Sequence, residues 1–184
     1  MTRDEALALL RRHMTADALI KHCLASEAIM RHLARRLGED EESWALAGLL
    51  HDIDFEETKD APARHTLRAE EILREAGVSG DIIDAIKGHN AESLGFQRST
   101  RFQHALACAE TITGLIVATA LVYPDKKLAS VKPESVVKRM KKKDFARNVN
   151  RGVILECETL GLSLDAFAAL SLEAMQGIAG DLGL

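Results

Sequence analysis

Between Arg101 and Asp125 the chain carries a single charged residue, Glu110, and no proline interrupts it before Pro124. The run reads as one helix over 100–122. It is apolar on nearly every side, so it has to be covered, either by lipid or by other helices. Glu110, the threonines and Gly114 within it favour the centre of a helical bundle. A central helix of this kind constrains the rest of the chain, which must supply amphipathic helices to wrap it.

The remaining sequence meets that demand. Aromatic residues make up only 4% of the 184 residues and prolines number three, so the core has to be built from Leu, Ile, Val and Ala, a composition that suits helices. Thr2-x-x-Glu5 is a capping box and predicts a helix to about His13. Thr15 is the expected N-cap of a second helix that stops at Gly38. Acidic Glu39 to Glu42 open a third, ending near His51. Residues 53–63, with Pro62, read as a loop, and a fourth helix covers about 64–76 before Gly77. Ser79 and Asp81 start a fifth that ends near Gly88, and 90–99 is loop-like. After the long helix come a basic helix following Pro133 and helices near 149–160 and 163–179, the last begun by Ser163 and Asp165. No strand, repeat or low-complexity linker is evident, so the expectation is one all-α domain over 1–184.

Cys23, Cys108 and Cys157 lie apart in apolar helical patterns and read as buried free thiols. The N-terminal residues have no signal-peptide core, and the expected location is cytoplasmic, with no membrane partner.

The chemistry is carried by His51 and Asp52, adjacent at the end of the apolar run Trp-Ala-Leu-Ala-Gly-Leu-Leu-His-Asp-Ile. Burying either group without a partner is costly. His22 has Ala18, Leu19, Ala25, Ser26 and Ile29 as helical neighbours, so it points inward, as a satisfied core histidine or as a ligand. Glu110, among Leu106, Ala107, Thr113 and Gly114, needs a cation, supplied by a lysine or arginine elsewhere or by a metal ion. His65 and His89 sit at helix ends, where side chains are either displayed for function or simply solvated. His13, His32 and His104 read as surface or structural. The set His22, His51, Asp52, His65, His89 and Glu110 suits Mn²⁺, Fe²⁺, Co²⁺, Ni²⁺ or Zn²⁺ better than Mg²⁺. Such ions acidify water and polarise phosphoryl oxygens. There is no Walker loop, GxGxxG, HExxH or Ser-centred elbow.

The order His22, His51-Asp52, Glu110 resembles the HD superfamily of metal-dependent phosphohydrolases, whose pattern is His…His-Asp…Asp on an all-α fold. His65 in His-Thr-Leu-Arg-Ala-Glu-Glu-Ile-Leu and His89 in Ala-Ile-Lys-Gly-His-Asn resemble the extra histidines of its binuclear members. Nearly the whole chain is similar to a bacterial subgroup of predicted HD hydrolases. The resemblance implies a helical bundle with a metal-binding core over about 15–122, followed by basic and C-terminal helices over 126–184. It implies one ion held by His22, His51, Asp52 and Glu110, and a second held by His65 and His89 with Asp52 bridging. It further implies hydrolysis of a small phosphorylated substrate, a nucleotide among the options. A di-iron oxygenase and a non-catalytic ligand-binding domain are the alternatives.

Two stretches depart from the family pattern. Glu110 stands where Asp is usual, and Asp54-Phe55 replaces the Gly-Lys of the common His-Asp-Ile-Gly-Lys run. Asp54, Glu56 and Glu57 follow the metal pair closely, and Asp52, Asp54 and Glu56 are the candidates for catalytic acid or base, against the alternative of solvated loop carboxylates.

Net charge is −4, yet residues 126–151 hold ten Lys or Arg against Glu134 and Asp144. Lys141, Lys142 and Lys143 with Lys138 and Arg139 form either a solvated face or a field that draws an anionic substrate in. Nucleic acid ranks last, because a single aromatic, Phe145, is interleaved with the ten charges.

Overall fold

The structure, a computed structural model, describes residues 1–184 and contains helices and turns but no strand. The helices are α1 (Arg3–His13), α2 (Asp17–Leu37), α3 (Glu41–Leu50), α4 (Phe55–Thr58), α5 (Leu67–Glu75), α6 (Gly80–His89) and α7 (Ala91–Leu94), followed by α8 (Arg101–Leu121), α9 (Pro133–Met140), α10 (Arg151–Leu155), α11 (Leu164–Gly177) and α12 (Ala179–Leu182). Short 3₁₀ turns cover Leu128–Ser130 and Glu156–Leu160.

Local chemistry sets most of these ends. Thr2 and Glu5 form the expected capping box. Thr100 and Gln103 form a second one at the start of α8, and the Asp40 carboxylate accepts from the Ser43 N–H at the start of α3. Pro133 occupies the first turn of α9, where a missing N–H costs nothing.

Five features differ from the sequence reading. Thr15 is not the cap of α2: that helix begins at Asp17, and the free N–H groups of Thr15 and Ala16 donate to the Glu56 carboxylate at 2.8 and 2.6 Å. The fourth predicted helix starts later, at Leu67, leaving His65 in the turn before it. The stretches 53–63 and 90–99 each contain one helical turn, α4 and α7, and the helix expected at 149–160 changes from α to 3₁₀ after Leu155.

α8 is the axis of the bundle and packs against α2, α3, α6, α9, α10 and α11. It is long and apolar enough to cross a membrane, but most of it is buried by protein. Its Leu106, Ile112, Leu115 and Ile116 lose all solvent contact, in one cluster with Ile29 and Leu33 of α2, Leu49 and Leu50 of α3, and Phe167 of α11. Two glycines let helices approach the axis closely. A Cβ on Gly48 of α3 would stand 2.6 Å from the Ser26 carbonyl oxygen of α2, and one on Gly88 of α6 would stand 2.6 Å from the Gln103 side chain of α8. All three cysteines are free and buried. Burial pushes their thiols up, Cys157 to about 11, so they serve as packing groups.

Candidate metal centre

Four histidines and one aspartate meet where α2, the end of α3, the turn before α5 and the end of α6 converge. His22 of α2 and His51, just past α3, face each other with Nε2 atoms 3.0 Å apart. His65 and His89 form a second such pair, also at 3.0 Å. Asp52 lies between the pairs. Its Oδ2 is 3.7 Å from His22 Nε2 and 3.5 Å from His51 Nε2. Its Oδ1 is 3.3 Å from His65 Nε2 and 3.4 Å from His89 Nε2. The ligand atoms of His22, His51 and Asp52 all lie within 4.8 Å of one another, as do those of Asp52, His65 and His89.

The other ring nitrogen of every histidine is occupied. His51 Nδ1–H donates to the Gly48 carbonyl at 2.8 Å and His89 Nδ1–H to the Ile86 carbonyl at 2.6 Å. Both carbonyls belong to the last turn of their helix, where oxygens lack an intrahelical partner. The Thr113 hydroxyl donates to the Glu110 carbonyl at 2.6 Å, so it accepts from His22 Nδ1–H at 2.9 Å. His65 Nδ1–H donates to Asp54 Oδ1 at 2.8 Å.

These bonds fix the tautomers, and each neutral imidazole then points an Nε2 lone pair at the centre. Two lone pairs 3.0 Å apart repel unless a cation stands between them. Two nitrogens at that separation, each about 2.1 Å from one ion, subtend about 90° at it, a normal angle for octahedral first-row metals. The donor set therefore fits divalent metal, and a second shell of carbonyls, hydroxyl and carboxylate already orients it.

The electrostatics agree. Burial holds His51 neutral, lowering it to about 3. Burial alone would raise the Asp52 carboxyl, but His51 foremost, with His65, His89 and His22, outweighs it and keeps the group well below the usual carboxylate range. Burial would likewise lower His65, yet Asp52 and Asp54 raise it to about 9, so without metal a proton takes the place of the cation.

Glu110 stands at the edge of this cluster. Its Oε2 is 3.8 Å from His22 Nε2, and Thr111 donates its hydroxyl to the other oxygen. No lysine or arginine pairs with it, so the salt-bridge alternative left open by the sequence does not apply. Burial raises its carboxyl above the ordinary range. Glu110 also borders a cleft of about 360 Å³ over the cluster, with His22, His89, Glu92, Asn148 and Asn150.

Other expected site residues are placed differently. Asp54 is fully buried, and its carboxylate accepts from His65 and from the Thr66 and Ala69 N–H groups at 2.8 and 3.0 Å. With those donors it orients His65 and holds Thr66, a β-branched residue, at φ 69°. Glu56 caps α2 as described and does not join the cluster. Lys141, Lys142 and Lys143 are exposed, and none lines the cleft; Asn148, Val149 and Asn150, a few residues on, do so instead. Sequence reasoning missed those three, and only the fold reveals them. Thr113 could have been found, since it lies three residues from Glu110 on the same helix face.

The family model for the HD domain matches residues 19–121, more than half of the chain and the stretch that holds His22, His51, Asp52, His65, His89 and Glu110. No curated protein and no solved structure matches the chain.

Proposed function

The chain belongs to the HD-domain family, and from that premise we propose that it is a metal-dependent phosphohydrolase acting on a small phosphate ester. The family supports a metal-dependent hydrolase, and the His/Asp cluster can hold divalent metal. The observation that carries the finer reading is the doubled donor set: two pairs of opposed Nε2 lone pairs sharing Asp52. His22, His51, Asp52 and Glu110 would hold one ion, and His65, His89 and Asp52 the other. Divalent ions bound there supply Lewis acidity, which makes water a nucleophile near neutral pH and offsets charge on phosphoryl oxygens.

The chain's own residues set the conditions. Asp52 stays ionised between the two triads, so it neutralises charge on both sides. Asp54 fixes the His65 ring through Nδ1, and the Gly48 and Ile86 carbonyls fix His51 and His89, so donors are preorganised before substrate arrives. Asn148, Asn150 and Thr111 border the open side of the cleft and offer polar groups to an ester held there. Lys141, Lys142 and Lys143 act at a distance, raising the local concentration of anionic substrate without touching it.

The test is a panel of phosphomonoesters and phosphodiesters assayed with protein reloaded in turn with Mn²⁺, Co²⁺, Ni²⁺, Zn²⁺ and Fe²⁺. Phosphate-ester hydrolysis should follow metal loading, and Asp52→Ala should lower kcat at least 100-fold. Oxygen consumption by the iron-loaded protein without ester hydrolysis would point to the oxygenase alternative. Full metal loading with no turnover of any ester would leave a ligand-binding domain.

A further inference from the structure

The cleft over the cluster does not stop at His22. Along α8 it runs past Glu110, Thr113 and Gly114, and the same helix face continues at three- and four-residue spacing through Val117, Ala118 and Leu121. These later positions line a second hollow of about 380 Å³, which shares His22, Thr113 and Gly114 with the first. Its opposite wall is α2, through Ala18, Lys21 and Ala25, and Leu182 and Leu184 close one side. The two hollows adjoin at His22, Thr113 and Gly114 and together make a trough along α8, walled by α2 in its second part. Its length from Glu110 to Leu121 is about 16 Å at the rise of an α-helix.

The far part of the trough has a definite chemistry. No Phe, Tyr or Trp side chain lines it; its one ring, the His22 imidazole, is held between Thr113 and His51 at the near end, so a base would find no platform farther along. Its polar groups are few and partly engaged: the Thr113 hydroxyl bonds His22 and the Glu110 carbonyl, and the Lys21 ammonium pairs with Asp17 at 2.9 Å. A nucleobase or sugar placed there would lose more hydrogen bonds to water than this wall returns. Methylenes would lose nothing by the exchange. At the outer end Leu121 is 49% exposed, so the trough is open and a longer chain can run out of it.

We propose that this trough is the subsite for an aliphatic chain, and that the ester handled at the metal cluster is amphiphilic, with its anionic end at the cluster and an alkyl or acyl chain along α8. The phosphate identity of the anionic end rests on the hydrolase reading above; the chain subsite rests on the trough alone.

The experiment is calorimetric titration of n-alkylphosphonates, from methyl to octyl, into the metal-loaded 184-residue chain, with hydrolysis of the matching alkyl phosphates followed in parallel. Affinity should rise two- to fourfold for each added methylene until the trough is full. Ala118→Phe, which fills the trough, and Leu121→Asp, which charges its half-exposed end, should each flatten that dependence. Affinity that ignores chain length in the unaltered protein overturns the subsite, as does a dependence that survives in both variants. If chain length governs binding but no ester is cleaved, the subsite stands and the hydrolase reading falls. If short polar esters are cleaved and chain length has no effect, the reverse holds.

Discussion

Asp54 illustrates how a residue that looks catalytic in sequence becomes a positioning group in the fold. It follows His51-Asp52 by two residues, but its oxygens accept from His65 and two backbone N–H groups in a buried site. Asp54→Asn should therefore weaken metal binding at the His65–His89 pair by 10- to 100-fold. It should also destabilise the protein by about 2–3 kcal/mol, because a charge-assisted set of bonds is replaced by a poorer one. The pH dependence follows from His65. In the metal-free protein its pKa, about 9, exceeds the ordinary 6.5 of an unfolded chain. Its pairing thus contributes full stability below pH 6.5 and loses it as pH rises through 9. Melting temperature measured in chelator should fall between pH 7 and 9.5, and the fall should be shallower in Asp54→Asn; parallel curves for the two proteins would contradict the pairing. Glu56 makes the complementary case. Glu56→Ala should lower the melting temperature by a few degrees by uncapping α2 and leave ester hydrolysis within about twofold. A hundredfold loss of kcat at unchanged stability would restore Glu56 to the chemistry. The ligand types were legible in the sequence because buried charge must find a partner. The uses of Asp54 and Glu56 were not, because their partners lie 11 to 41 residues away along the chain.

At the scale of elements, the centre depends on how closely α2 and α3 approach. Gly48 permits that approach and also supplies the carbonyl that orients His51. Gly48→Ala would set a methyl 2.6 Å from backbone, which cannot yield, so it should cost about 1–3 kcal/mol and separate His22 from His51. Gly88→Ala meets only the flexible Gln103 side chain at the same distance and should cost less. Comparing chemical denaturation and metal affinity of the two variants checks this ordering, and equal losses would argue that the α2–α3 contact is not what positions the centre. The long helices were legible from the sequence, since the capping box at Thr2 and the nearly charge-free run of α8 are local signals, while the second box at Thr100 emerges with the fold. The ends of α2 and α5 were less so. The start of α2 is satisfied by Glu56 rather than Thr15, and the start of α5 is set by Asp54 gripping the Thr66 and Ala69 amides.

At the scale of the whole molecule, α8 carries Glu110 and Thr113 to a centre built otherwise from α2, α3 and α6 and the turn before α5, while the basic segment stays on the periphery. That separation fixes what the lysines can do. Replacing Lys141, Lys142 and Lys143 together with Gln should lower kcat/KM for an anionic ester a few-fold at low ionic strength and hardly at all at 0.15 M, where the Debye length is about 8 Å. A loss of kcat that ignores salt would place one of them on the substrate. The expectation that this segment draws in an anionic substrate came from its charge, whereas the fold brings its neutral neighbours Asn148 and Asn150 to the cleft. The central claim is that one carboxylate, Asp52, joins two metal sites. It is tested most directly by the metal content of protein purified without chelator, measured for the unaltered chain, His89→Ala and Asp52→Ala. The unaltered chain should carry about two first-row ions, the His89→Ala variant about one, and the Asp52→Ala variant almost none. Metal content that is negligible in the unaltered protein and stays so when divalent ions are supplied, or that is equal in all three proteins, would contradict it.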